Sequence, residues 1–139
     1  MPEINYIAVI FVAIFNIFLG MIWWHDVFFG KQWRELMGWG SMTEKELKVK
    51  QKESGPAYVT SMVSSLVIAF FMAGLLDMLE TETLGGAFRL AWVLWVAFVA
   101  TTSLVDYMYA ERRVKLWVIN YGYHLVSFIM MALILVRWK

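Results

Sequence analysis

The chain reads as an all-α integral membrane protein, a four-helix bundle with a cytoplasmic interfacial helix between the first and second spans. Three observations carry this reading. Four near-continuous apolar runs, at about residues 4–24, 57–79, 86–109 and 116–136, each match the ~20 residues that cross a ~30 Å hydrocarbon layer at ~1.5 Å per residue. Hydrophobic residues make up 61% of the 139, against ~45–50% in soluble domains, and mean hydropathy is +0.63. Within lipid an isolated segment satisfies its backbone polar groups only as a helix. The whole chain, 1–139, is therefore expected to be one transmembrane domain with a connection at 25–56 and no room for a soluble catalytic domain.

The first run has no positive residue before it and is longer than a signal-peptide core, so it is expected to stay as a span. Asn5, Asn16 and Gly20 fall within about 60° of one another at ~100° per residue, which turns that face toward protein. The connection then carries Lys31, Arg34, Lys45, Lys48, Lys50 and Lys52, and the turn after the third run adds Arg112, Arg113 and Lys115. Arg89, Arg137 and Lys139 are the basic residues of the opposite side. Nine against three places the connection in the cytoplasm and both termini outside. Trp23, Trp24 and Trp117 are expected at one headgroup level and Trp138 at the other.

Inside the connection, Phe29, Trp33, Leu36 and Met37 share one face of a short helix, which predicts an element lying in the membrane interface. Gly38-Trp39-Gly40 ends it. Thr43 and Glu46 form a capping-box pattern, so a charged helix is predicted from Glu44 to Glu53, ending at Gly55-Pro56.

In the second span every fourth residue is small: Ala57, Ser61, Ser65, Ala69 and Ala73. Such a ridge lets another backbone come close in lipid, either within the bundle or across a homodimer seam. Polar residues mark the third and fourth spans. Counted from the cytoplasmic ends, Asn16, Ser64, Thr102 and His124 all fall about 10–12 Å deep. Asn120 lies one turn from His124, and Asp106 one turn from Thr102. The six residues form a candidate intramembrane cluster with two readings: a set of structural hydrogen bonds, or a small cavity in which His124 titrates.

Two stretches carry a family resemblance. Gly20-Met21-Ile22-Trp23-Trp24 with Phe29-Gly30-Lys31-Gln32-Trp33, and Asn120-Tyr121-Gly122-Tyr123-His124, resemble the small bacterial four-span membrane family known as domain of unknown function 1761. The resemblance implies a four-span fold and a location in a bacterial inner (cytoplasmic) membrane, but no activity. Where that family commonly reads aromatic-Ser-Pro, this chain has Trp24-His25-Asp26, so roles for His25 or Asp26 would not be shared.

No enzyme is expected, since Ser61, Ser64 and Ser65 lack a nucleophile turn. No cofactor or metal is expected either, because His25, Asp26, Asp106 and His124 lack ligand spacing. With no cysteine, disulfides and thiolate chemistry are excluded. The expected partners are the lipid bilayer and a homodimer or larger membrane complex, with no role for nucleic acid. Transport or permeation of a small solute through the polar cluster is the first functional expectation, and a non-catalytic accessory or scaffold subunit the alternative. Small multidrug resistance transporters share the size and span count, but they depend on a glutamate in the first span, which this chain lacks.

Overall fold

A computed structural model describes residues 3–138; Lys139, counted above among the basic residues, lies outside them. The described residues are helical throughout, with no strand among them. The first span is α1 (Tyr6–Trp23), capped by the Asn5 side chain, which accepts from the Ala8 amide. Two short helices follow, α2 (Gly30–Leu36) and α3 (Glu44–Glu53). The second span is α4 (Gly55–Met78), with Pro56 in its first turn, where a missing N–H costs nothing. The third is continuous from Leu84 to Tyr109 but changes character twice: α5 (Leu84–Leu94), a π-helical segment (Trp95–Ala100) and α6 (Thr101–Tyr109). The last span is α7 (Val114–Arg137). All four are long and apolar enough to cross a membrane.

The capping box predicted at Thr43 is present in both directions, and α3 starts and stops at the predicted residues. Gly38, at φ +79°, supplies the left-handed turn between α2 and α3 that an L side chain adopts only under strain.

Helix α7 is the centre of the molecule. It packs against α1, α4 and the third span, while the third span has at most marginal contact with α1 or α4 among the described residues. The core joins Val12 of α1, Ala69, Met72 and Leu76 of α4, Ala87 and Ala91 of α5, and Met131, Ala132 and Leu135 of α7. Alanines at the closest approaches let the helices come together, as expected where lipid supplies no hydrophobic drive.

Only part of the small-residue ridge does this work. Ser65 and Ala69 are buried and Ala73 half-buried, but Ala57 and Ser61 are exposed. A strict every-fourth-residue row drifts ~40° per step around an α-helix, so the row rotates away from α1 toward the α3 end. The buried residues Ser65, Ala69, Met72 and Leu76 instead keep the 4-3-4 spacing of a straight seam. Ala69→Leu should therefore lower stability by about 1–3 kcal/mol through overpacking, whereas Ser61→Leu should leave the protomer within about 0.5 kcal/mol of native. Thermal unfolding of the two variants in detergent checks this; equal loss for both would mean the seam extends to Ser61.

The π segment answers the same problem in the third span. Ala87, Ala91, Trp95, Ser103 and Tyr107 are all buried against α7, and successive members of this stripe are four or eight residues apart. Over the 20 residues from Ala87 to Tyr107 an undistorted α-helix would drift ~200°. The i→i+5 turns of Trp95–Ala100 take up part of that rotation.

Candidate functional site

The residues that carry the family resemblance meet in space at the end of the bundle where the connection lies. Trp23 donates its indole N–H to the Ile119 carbonyl at 3.0 Å and stacks on Phe29 at 4.7 Å. Trp24 packs on the Tyr123 ring at 4.5 Å, and its indole nitrogen is buried without an acceptor among the described residues. Trp33 of α2 donates to Asn120 Oδ1 at 2.9 Å, and Asn120 Nδ2 in turn donates to the Tyr107 hydroxyl at 2.8 Å. One amide thus ties α2, α6 and α7 together. The apolar face predicted for α2 exists, but it docks on the last span through Trp33.

The bend that brings α2 back onto the bundle depends on Gly30. A Cβ there would lie 2.4 Å from the Trp24 carbonyl oxygen and 2.9 Å from the His25 carbonyl carbon. Only glycine permits that approach. Outside the bundle the bend is stapled by Arg34, which donates to Asp26 at 2.6 Å. That hydrogen bond holds the Asp26 carboxyl below its usual range, and the same bond raises the Arg34 guanidinium.

Deeper in the bundle, Asn16 is buried at the junction of α1, α4 and α7. Its Nδ2 donates to Ser65 Oγ at 2.8 Å, its Oδ1 accepts from Ser127 Oγ at 2.6 Å, and its carbonyl accepts from the Tyr123 hydroxyl at 2.9 Å. Ser65 passes its own proton to the Ser61 carbonyl. The side-chain capacity of Asn16 is largely used, and its layer is closed by direct bonds.

The six predicted cluster residues therefore do not form one group. Asn16 lies in the layer just described, and Asn120 in the Trp33–Tyr107 bridge. Ser64, Thr102 and Asp106 are exposed on the outer faces of their helices. In each case the next residue faces inward instead: Ser65 bonds Asn16, Ser103 accepts from the Trp117 indole at 2.9 Å, and Tyr107 accepts from Asn120. Depth fixed the level of these positions but not their rotation, and one residue is ~100° of helix. Thr102 returns its hydroxyl to the carbonyls of Phe98 and Val99 in its own helix, the usual resort of a threonine without an interhelical partner. His124 is half-buried between the rings of Tyr121 and Tyr123, at 5.5 and 5.3 Å, and no hydrogen bond to it is found among the described residues.

Trp23, Trp24 and Trp117, expected at one headgroup level, turn inward as packing groups near the ends of their spans. Trp95 joins them, donating to the Tyr121 carbonyl at 3.0 Å. Four indole N–H groups (Trp23, Trp33, Trp95 and Trp117) thus act as interhelical donors, three to α7 atoms and one from α7 to α6. No local sequence pattern marked these donors; a small residue faces one of the rings, since a Cβ on Gly122 would sit 3.6 Å from Trp23. Among the described residues no group of three metal-ligating side chains occurs.

Comparison with known proteins agrees with this architecture. The family model described as "Protein of unknown function (DUF1761)" matches residues 7–136. A UPF0591 membrane protein of Schizosaccharomyces pombe is 31% identical over 84 residues, covering 60% of this chain. The match spans 56% of that relative's length. No solved structure matches.

Proposed function

The chain belongs to the DUF1761 family of proteins of unknown function, and from that premise we propose that it acts as a non-catalytic accessory or scaffold module embedded in a membrane. The observation that supports this reading is the closed polar layer at Asn16. A conduction path needs intramembrane polar groups free to bind solute or water, whereas here Asn16, Ser65, Ser127 and Tyr123 spend their capacity on one another. What the outward faces offer instead is surface: the exposed ridge members Ala57 and Ser61 are small enough for a close approach by a second copy or another subunit.

One observation favours the second reading, transport or permeation of a small solute. His124 is an intramembrane imidazole with no hydrogen-bond partner among the described residues, and such groups commonly serve proton pathways. Reconstitution into vesicles under a pH gradient separates the two. The accessory reading expects proton flux no faster than in empty vesicles, for native protein and for His124→Gln alike. Flux in the native protein that disappears in a folded His124→Gln variant would replace this reading with the second.

The location we propose is a bacterial cytoplasmic membrane with both termini outside; the nine-to-three distribution of basic residues supports the orientation. The relative from a yeast means that membership in the family does not by itself imply a bacterial membrane. A membrane-impermeant thiol reagent applied to intact cells should label a cysteine at Glu82 and spare one at Lys48. The reverse pattern would invert the orientation.

A further inference from the structure

Helix α3 is charged nearly all round, yet it is not free to stand off into solvent. Its C-terminal residue is followed by Ser54, which also precedes α4, so that end is fixed where the second span begins. On the N-terminal side Trp39 sits edge-on to Trp33 at 5.1 Å, and Trp33 is bonded to Asn120 of the last span. Lys50 adds a cation–π contact to Trp39, its ammonium 5.8 Å from the ring centre. Held at both ends, a helix about 15 Å long stays close to the membrane surface.

The charges on α3 are then sorted by face. Leu47 and Lys50 are half-buried toward the protein. On the opposite side Lys45, Lys48 and Lys52 lie within about 60° of one another. All three are exposed and none is in an ion pair among the described residues. Val49, about 40° from Lys45 at the edge of this stripe, is 52% exposed beside an open hollow between α3 and residues 38–42, and Glu46 and Glu53 line that hollow beyond it. A basic stripe edged by one apolar residue, on a helix tethered beside the span ends, is complementary to anionic phosphate esters with acyl chains beneath them.

We propose that Lys45, Lys48 and Lys52 form a binding face for anionic phospholipid headgroups of the membrane in which the protein sits, with Val49 entering the interface at the edge of the face. Each lysine near an anionic surface favours association about fivefold, so the three together make the docked state of α3 depend on lipid charge. The attraction is screened by salt over roughly 8–10 Å.

The absence of cysteine allows a clean test. A nitroxide on Val49→Cys in the full chain is reconstituted into vesicles of phosphatidylcholine alone or mixed with phosphatidylglycerol, and its collision rates with oxygen and with a water-soluble nickel chelate are compared. Anionic vesicles are expected to raise oxygen accessibility and cut nickel accessibility at least about twofold, an effect reversed by high salt. Adding Lys45→Gln, Lys48→Gln and Lys52→Gln should abolish the difference while the circular dichroism and detergent-micelle size stay native, because these side chains support no contact in the fold. Equal accessibility in the two vesicle types, or an unchanged difference in the triple variant, would overturn the proposal. So would inorganic phosphate producing the same change in phosphatidylcholine vesicles, since that would assign the lysines to a soluble anion.

Discussion

Asn16→Asp should be the most damaging isosteric change in this protein, costing about 3 kcal/mol at neutral pH. Asn16 is 6% exposed and sits inside the span, so a carboxylate there carries the penalty of a charge within the bilayer, ~2.5–3.5 kcal/mol even on insertion scales. It also removes the donor that Ser65 receives, and Ser65 cannot answer by turning its hydroxyl without leaving the Ser61 carbonyl. The protonated acid has the shape of the native amide and can donate to Ser65 while accepting from Ser127. The variant should therefore regain stability as pH falls, because the folded form then binds the extra proton more tightly than the unfolded chain does. Thermal unfolding in detergent at pH 5 and pH 8 reads this directly. Native stability at both values would mean that water or lipid headgroups reach Asn16, and the closed layer would be lost as an argument against conduction.

Gly30→Ala is expected to release α2 from the bundle. The added methyl meets backbone on two sides, the Trp24 carbonyl oxygen at 2.4 Å and the His25 carbonyl carbon at 2.9 Å, so no side chain can simply swing away. The bend must open, and with it the Trp33–Asn120 bond and the Trp23–Phe29 stack. The overpacking cost is about 1–3 kcal/mol, concentrated in the connection rather than in the four spans. Limited proteolysis should then cut between residues 25 and 40 while the span core stays resistant. A helical glycine with open space around its missing Cβ, Gly85, serves as control: Gly85→Ala should be neutral or slightly stabilising. Equal protease resistance of Gly30→Ala and native protein would show that the bend has room the geometry denies it.

How much of this was readable beforehand follows from which physical signal each feature leaves in the chain. The spans and α3 were legible because run length, hydropathy and a capping box are local. The apolar face of α2 was legible for the same reason, but not its docking on Asn120, which lies 87 residues away. The polar cluster was half legible. Asn16 and Asn120 were identified, while Ser64, Thr102 and Asp106 each missed an inward-facing neighbour by one residue. Run length sets depth along a helix, but rotation about its axis is set by partners far away in sequence. In the third span the π segment changes the rotation again, and nothing in Trp95–Ala100 taken alone announces it. The interhelical role of the tryptophans was not legible, because an indole at a span end serves equally as a headgroup anchor or as a donor to a neighbouring helix.

The central position of α7 also dictates a sequence of events during synthesis. The first and second spans can pair as soon as both are in the bilayer, because their seam through Val12 and Ala69 is their own. The third span cannot: its buried stripe from Ala87 to Tyr107 faces α7, which is synthesised after it. Until residues 114–137 are inserted, the Trp95 indole N–H lacks the Tyr121 carbonyl to which it donates, and the third span stays an unpaired helix. Helix α7 closes both halves at once, so its insertion is the step that joins the four spans into a single folded unit.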